Sequence, residues 1–490
     1  MSINRRENCR SLVARDQSRR GFLNSMAGGL CGAALATLID EGPAQKLFAA
    51  SAGSPGIERQ THFAPKAKSI IQLFMNGGPS QMDLFDPKPM LDKHHGESYF
   101  DKIAGEVEFA SEAGAIMRSP FKFAQHGKSG IWMSDAMPHL AEQADELCMI
   151  RSMYTVNNTH EPAIRKFHTG QMIPGHPTMG AWISYGLGSE NQNLPTYVVL
   201  DDPRQLPVGG IENWQAGFLP PQHQGTRLRS KGVPVVNLLP GYEEPDLVTQ
   251  IERDLIAAMG ASHEQSRPHQ PELSARLSSY ELAARMQVAA TDALNIFDES
   301  PRTLQSYGIG NPTTDSYGRR CLMARRLVER GVRFVQLFIE NQIWDNHGRL
   351  ATSLKGACNQ TDQPIAALLH DLRQRGLMDD TLVLWGGEFG RLPIAQLRNT
   401  TDEKVAGRDH NKNAFTIWMA GAGVKPGTVY GATDELGLLA VENRVSVQDW
   451  HATVLHLLGI DYKRLTFDAH GLKEKLTGVF ETHIVKEILS

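Results

Sequence analysis

Short apolar runs, each too brief for a helix, are spaced along the chain between stretches whose apolar residues recur every three or four positions. Residues 69–75 (SIIQLFM), 147–153 (LCMIRSM), 195–200 (PTYVVL), 331–339 (GVRFVQLFI), 380–385 (DTLVLW) and 415–420 (FTIWMA) are the runs. Near-continuous apolar character predicts strands buried on both faces, as in a parallel sheet covered by helices. Between them, Ser134-Asp135 opens a helix carrying Ala136, Met137, Leu140, Ala144 and Leu147. Asn157, Asn158 or Thr159 caps another, with Ala163, Ile164 and Phe167 on one side and Gly170 at its end. Residues 180–186, 317–330 and 447–458 read as further helices, and Leu247, Ile251, Leu255 and Met259 mark one more. The clearest is 353–376, with Leu354, Ala357, Ile365, Leu368, Leu369 and Leu372 on one side; Pro364 inside it predicts a kink or a split. Strand–helix alternation of this kind points to a right-handed, mostly parallel α/β sheet.

Two stretches lack a steady period. Residues 88–134 are polar and irregular and read as an excursion over one edge of the sheet. Residues 201–239, rich in Gly, Pro, Gln and Arg, read as a surface insertion shaping an entrance.

Residues 1–52 fall outside the fold pattern. Ser18-Arg19-Arg20-Gly21-Phe22-Leu23 follows a basic flank and precedes a weakly apolar Ala- and Gly-rich run, with Ala50-Ser51-Ala52 as a cleavage site. This is the order of a twin-arginine export signal, which would make the translocase a partner and place the protein in the periplasm or outside the cell. Residues 53–67 read as a linker and 68–490 as one domain. The chain has 50 Lys+Arg and 54 Asp+Glu. A mildly acidic balance with no basic stripe argues against nucleic acid as a partner. Beyond residue 52, three scattered cysteines remain, Cys148, Cys321 and Cys358, which predicts buried free thiols rather than a disulfide scaffold.

Candidate chemistry collects where the apolar runs stop. After 69–75 come Asn76-Gly77-Gly78-Pro79-Ser80 and Asp83; after 331–339 come Asp345 and His347; after 380–385 comes Glu388; before 415–420 stand Asp409 and His410. Ligands in open α/β sheets bind at the carboxyl ends of the strands. Carboxylates mixed with imidazoles suit a divalent metal, Zn, Mn, Mg or Ca, and Arg391 and Arg408 could clamp a tetrahedral oxyanion.

The stretches Leu73-Phe74-Met75-Asn76-Gly77-Gly78-Pro79-Ser80, Asn158-Thr159-His160-Glu161-Pro162-Ala163, Trp344-Asp345-Asn346-His347-Gly348, Gly387-Glu388-Phe389-Gly390-Arg391 and Gly407-Arg408-Asp409-His410 together resemble the family known as domain of unknown function 1501. That family is described as sulfatase-like and placed among alkaline-phosphatase-like proteins. The resemblance implies an α/β/α sandwich with metal ligands at the strand ends: Asn76, Asp345, His347, Glu388, Asp409 and His410. It also implies a nucleophile at the helix after the second strand, where Thr159 and His160 stand. Asn76 replaces the usual acid, Glu388-Phe389 replaces an Asp–His pair, and no Cys-x-Pro-x-Arg sulfatase signature is present. Two functions are thus expected: a metal-dependent hydrolase of small-molecule or glycan sulfate or phosphate esters, or a noncatalytic relative that binds such a glycan.

Overall fold

The residues described in the computed structural model are 61–98, 113–230, 246–267, isolated helical positions between 273 and 286, 292–469 and 471–490; the stretch 1–52 expected to be an export signal lies outside them. The principal elements, in chain order, are β1 (Ser69–Phe74), β2 (Leu147–Tyr154), α1 (His160–Thr169), α2 (Met179–Leu187), β3 (Tyr197–Leu200), β4 (Thr226–Leu228), α3 (Asp246–Gln265), α4 (Asp315–Glu329), β5 (Phe334–Phe338), α5 (Leu350–Gln374), β6 (Thr381–Gly386), β7 (Gly390–Arg391), β8 (His410–Asn411), β9 (Phe415–Gly421), β10 (Thr428–Tyr430), β11 (Val445–Ser446) and α6 (Val447–Leu457). Two compact units are present; α3 belongs to the first, and the α/β body is the second.

The α/β body is built on one large, mostly parallel sheet in the order β10-β2-β9-β6-β1-β5-β3-β4, with β11 also paired to β2. β1 lies at its centre, parallel to β5 on one side and β6 on the other. Every residue of β1 is buried. Alternation sends Ile71 and Leu73 into a core shared with α4 and α5, and Ile70 and Phe74 into a second core shared with α1, α2 and α6. Two cores, one per face, explain why this strand is mostly apolar on both sides.

β9 runs antiparallel to both β6 and β2. His410 precedes β9, and because β9 is reversed its start lies at the edge where the parallel strands end. An apolar run carries no mark of direction, so this reversal was not legible.

Other expectations are corrected. Ile131–Ser134 is a strand paired antiparallel to Phe123–His126, not the start of a helix. Helix begins only at Pro138, where Asp362 accepts the N–H groups of His139 (2.9 Å) and Leu140 (2.7 Å). α5 runs unbroken through Pro364 for 25 residues, because the buried face from Leu354 to Leu372 holds both halves against the sheet. The end of the supposed linker is docked: Lys66 and Ala67 donate their N–H groups to the carbonyl of Leu457 at 2.8 and 2.9 Å. Thr226–Leu228, inside the expected surface insertion, adds an edge strand. Cys148, Cys321 and Cys358 are free and buried. Among the described residues no helix is long and apolar enough to cross a membrane.

Candidate metal centre

The turn after β1 fixes the floor of the site. Gly77 and Gly78 take positive φ, +114° and +76°, which L side chains rarely adopt. A Cβ at Gly77 would stand 2.5 Å from the backbone nitrogen of Asp345. The loop after β5 can therefore lie directly on this turn. The hairpin of β7 and β8 pairs Arg391 with His410 and brings His410 to the same place. α1 delivers His160 as its first residue, after the N-cap Thr159.

Four side chains converge: His160, Asp345, His347 and His410, each offering one ligand atom, all within 4.8 Å of one another. Asp345 is the hub. Its Oδ1 lies 2.8 Å from His347 Nε2 and 3.2 Å from His410 Nε2, and its Oδ2 lies 3.2 Å from His160 Nε2. The rings of His160 and His347 each stand 4.4–4.6 Å from that of His410, and Phe389 covers His410 at 4.5 Å.

The far nitrogens are held from behind. His160 Nδ1 lies 2.7 Å from Glu388 Oε1, and His347 Nδ1 contacts Gln396 Oε1. Glu388 is fully buried and also accepts the N–H of Gly77 at 3.0 Å. An imidazole anchored through Nδ1 presents Nε2 as a ligand, the usual arrangement behind a protein-bound metal. His160 Nε2 is buried and, although it faces Asp345 at 3.2 Å, makes no well-formed hydrogen bond. An orphaned imidazole nitrogen beside a carboxylate and two further imidazoles fits a divalent cation.

Electrostatics set the resting charge. Burial opposes charge on His160, but the neighbouring carboxylates of Asp345 and Glu388 outweigh it and raise its pKa to about 9. Burial, together with the charges of Arg391 and His160, lowers His410 to about 3 despite Asp345. Burial raises the affinity of Asp345 for a proton, yet Arg391 and the three histidines hold it well below the ordinary carboxylate range.

The remaining candidates have other partners. Arg391 donates Nε to Gly78 O (2.9 Å), Nη1 to Arg408 O (3.0 Å) and Nη2 to Asp345 Oδ1 (2.6 Å). Arg408, wholly buried, makes a two-pronged pair with Asp83, at 2.7 and 3.1 Å. Neither guanidinium is available as an oxyanion clamp: main-chain carbonyls and a buried carboxylate, both invisible at sequence level, have taken their donors. Asp409 turns Oδ1 onto the N–H of His410 (2.7 Å) and stands outside the four. Glu388 sits behind His160 rather than among the four. Asn76 donates Nδ2 to Ile339 O (2.7 Å) and to Asn341 O, leaving Oδ1 buried without a hydrogen bond. Thr159 is exposed, and its hydroxyl caps nothing. The resemblance places His160 with Thr159 at the nucleophile rather than among the ligands, and Gln396 is not a sequence candidate. Only the N-terminal position of His160 on α1 hinted at its place in the cluster, and nothing local hinted at Gln396.

No curated protein matches the chain by sequence. Among solved structures it is similar to the lipoteichoic acid synthase LtaP from Listeria monocytogenes (11% identity, 85% of this chain and 78% of that one, TM-score 0.34). It is also similar to the PsFucS1 sulfatase from Pseudoalteromonas sp. (11%, 86% and 72%, 0.35) and to a protein in the alkaline phosphatase superfamily from Vibrio parahaemolyticus (11%, 87% and 77%, 0.34). The family model described as protein of unknown function (DUF1501) matches residues 67–489, so the chain belongs to that family.

Proposed function

We propose that this protein is an exported, metal-dependent hydrolase of sulfate or phosphate esters carried on a small molecule or a glycan, delivered folded by the twin-arginine translocase. One observation carries the reading: three imidazoles and a carboxylate within 4.8 Å of one another at the sheet edge, with a buried orphan nitrogen on His160. Asp345, His347, His410 and His160 would hold the ion. Three nitrogen donors favour Zn or Mn over Mg or Ca. When bound, such an ion neutralises ester oxygens and lowers the pKa of a bound water. Asn76, through its unpartnered Oδ1, would mark a second, weaker position. Glu388 and Gln396 orient the rings. Thr159 offers an exposed hydroxyl at the start of α1, where main-chain N–H groups favour an anion.

A second reading has an observation of its own. Protonated His160 and Arg391 together compensate Asp345 and Glu388, so the cluster is also satisfied as a metal-free ion network. With Arg391 and Arg408 committed, such a protein would bind a sulfated or phosphorylated glycan without cleaving it.

The test is metal content by mass spectrometry in natively exported protein, together with hydrolysis of 4-nitrophenyl sulfate and 4-nitrophenyl phosphate. The hydrolase reading expects near-stoichiometric Zn or Mn, lost in Asp345→Asn and His410→Ala, and turnover abolished in the same variants. A metal-free parent that cleaves neither ester gives preference to the second reading.

A further inference from the structure

Arg151 is a largely buried cation on β2 whose guanidinium is only partly satisfied. In β2 the alternation puts Leu147 and Met149 into the core shared with α4 and α5. Arg151 is next in that alternation, where an apolar residue is expected. Its side chain is only 14% exposed. The nearest carboxylate is Asp86, with Oδ1 3.7 Å from Nη1, beyond hydrogen-bond range. Asp86 is already committed: Oδ1 lies 3.1 Å from Lys88 Nζ, and Oδ2 accepts the hydroxyl of Thr433. Two cations therefore share one carboxylate.

The unsatisfied atoms are specific. Nε and Nη2 of Arg151 are buried and make no hydrogen bond. These two nitrogens carry parallel N–H groups on one edge of the guanidinium, the edge that grips two oxygens of a single anion. Nη1, on the other edge, is the atom turned to Asp86. A buried charge left without hydrogen bonds is expensive, and its persistence calls for a ligand.

We propose that Arg151, supported by Lys88, is a binding site for a sulfate or phosphate group, either the free ion or one carried on a sugar. The site is separate from the four metal-centre residues and does not depend on the hydrolase reading. Asp86 acts as a brake: it holds Lys88 and keeps the two cations from standing uncompensated when no anion is bound.

The experiment is calorimetric titration of metal-stripped protein carrying His410→Ala, so that the metal centre cannot contribute. Inorganic sulfate, inorganic phosphate, glucose 6-sulfate and glucose 6-phosphate are titrated separately at constant ionic strength. The proposal expects saturable binding of at least one of them, weakened tenfold or more by Arg151→Lys and abolished by Arg151→Met. Asp86→Asn should tighten it, because the competing carboxylate charge is gone; this variant still reports if Arg151→Met fails to fold. Preference for inorganic ions assigns the free anion, and preference for the sugar esters assigns a substrate group. No saturable binding of any of the four, or binding unchanged in both Arg151→Lys and Asp86→Asn, overturns the proposal and leaves the fork to water.

Discussion

Arg391 places Nη2 2.6 Å from Oδ1 of Asp345, the same oxygen that lies 2.8 Å from His347 Nε2. One buried cation thus fixes the hub of the metal centre, while its other donors tie down the turn after β1 and the hairpin strand that bears His410. Arg391 is a positioning residue whose removal leaves several buried carbonyls without their donor and takes from Asp345 its guanidinium partner. Arg391→Met is expected to cost about 3–5 kcal/mol in urea denaturation. It should also raise the proton affinity of Asp345, so metal retention should fail at a higher pH than in the parent. A variant with parental stability and parental metal content would contradict this role.

Because the pKa of His160 is raised to about 9, its proton is still present at neutral pH in the metal-free protein and must leave when an ion binds. Affinity for Zn or Mn should therefore climb as pH rises from 7 to 9, by up to about tenfold per unit, and level off above. The unperturbed value of about 6.5 would have put this window near pH 6. Calorimetry in buffers of different ionisation enthalpy should register about one proton released per ion at pH 7.5. Release of none would place the ion elsewhere.

His168 and His451 are buried in the second core, and burial lowers both to about 3; their mutual repulsion adds to the effect on His168, and Lys166 adds to it on His451. Unfolded, both take up a proton below about 6.5, whereas the native protein resists until about 3. The unfolded state therefore binds more protons across that window, and stability falls as pH drops through it. The loss is expected to be on the order of 3 kcal/mol for each by pH 4. His451 donates Nε2 to the carbonyl of Phe167 at 2.8 Å, a bond glutamine can reproduce. The difference in unfolding free energy between pH 7 and pH 4 should shrink in His451→Gln; an unchanged difference would remove this histidine from the account.

Two glycines make opposite predictions for one substitution. A Cβ at Gly407 would lie 2.0 Å from the carbonyl oxygen of Asn346, between the loop of Asp345 and the hairpin strand of His410. Gly407→Ala should pry these apart, lowering metal content and stability together. Gly356, inside α5, has nothing within 4 Å of the same atom. Gly356→Ala should stabilise by about 0.5–1 kcal/mol through helix propensity. Thermal melts of both variants decide it.

Replacing Arg19 and Arg20 by Lys should trap the protein in the cytoplasm, as read by fractionation. Periplasmic delivery in a strain lacking the twin-arginine translocase would exclude that route.

The central strands were legible because β1, β2, β5 and β6 are covered on both faces and so are mostly apolar. β4, β10 and β11 were not, since each has three residues or fewer and exists only through pairing with a neighbour. Asp345, His347 and His410 could be named together from the loops that bear them. The roles given to Arg391 and Arg408 failed for a physical reason: a guanidinium drawn to carbonyls and to Asp83 has the same local sequence as one open to a substrate. Placing His160 beside His410 requires contact across 250 residues of chain, which no local pattern encodes.

The reversed strand β9 has a consequence for synthesis. The hub at Asp345 and the ring of His160 leave the ribosome long before His410, whose position depends on the β7–β8 hairpin and on β9 filling the gap between β2 and β6. A nascent chain stopped before residue 421 therefore has an open slot in the middle of its sheet and an incomplete ligand set. On the proposed metal reading, loading of an ion would be confined to chains that are nearly finished, and the act that closes the sheet is the same act that completes the four-residue cluster.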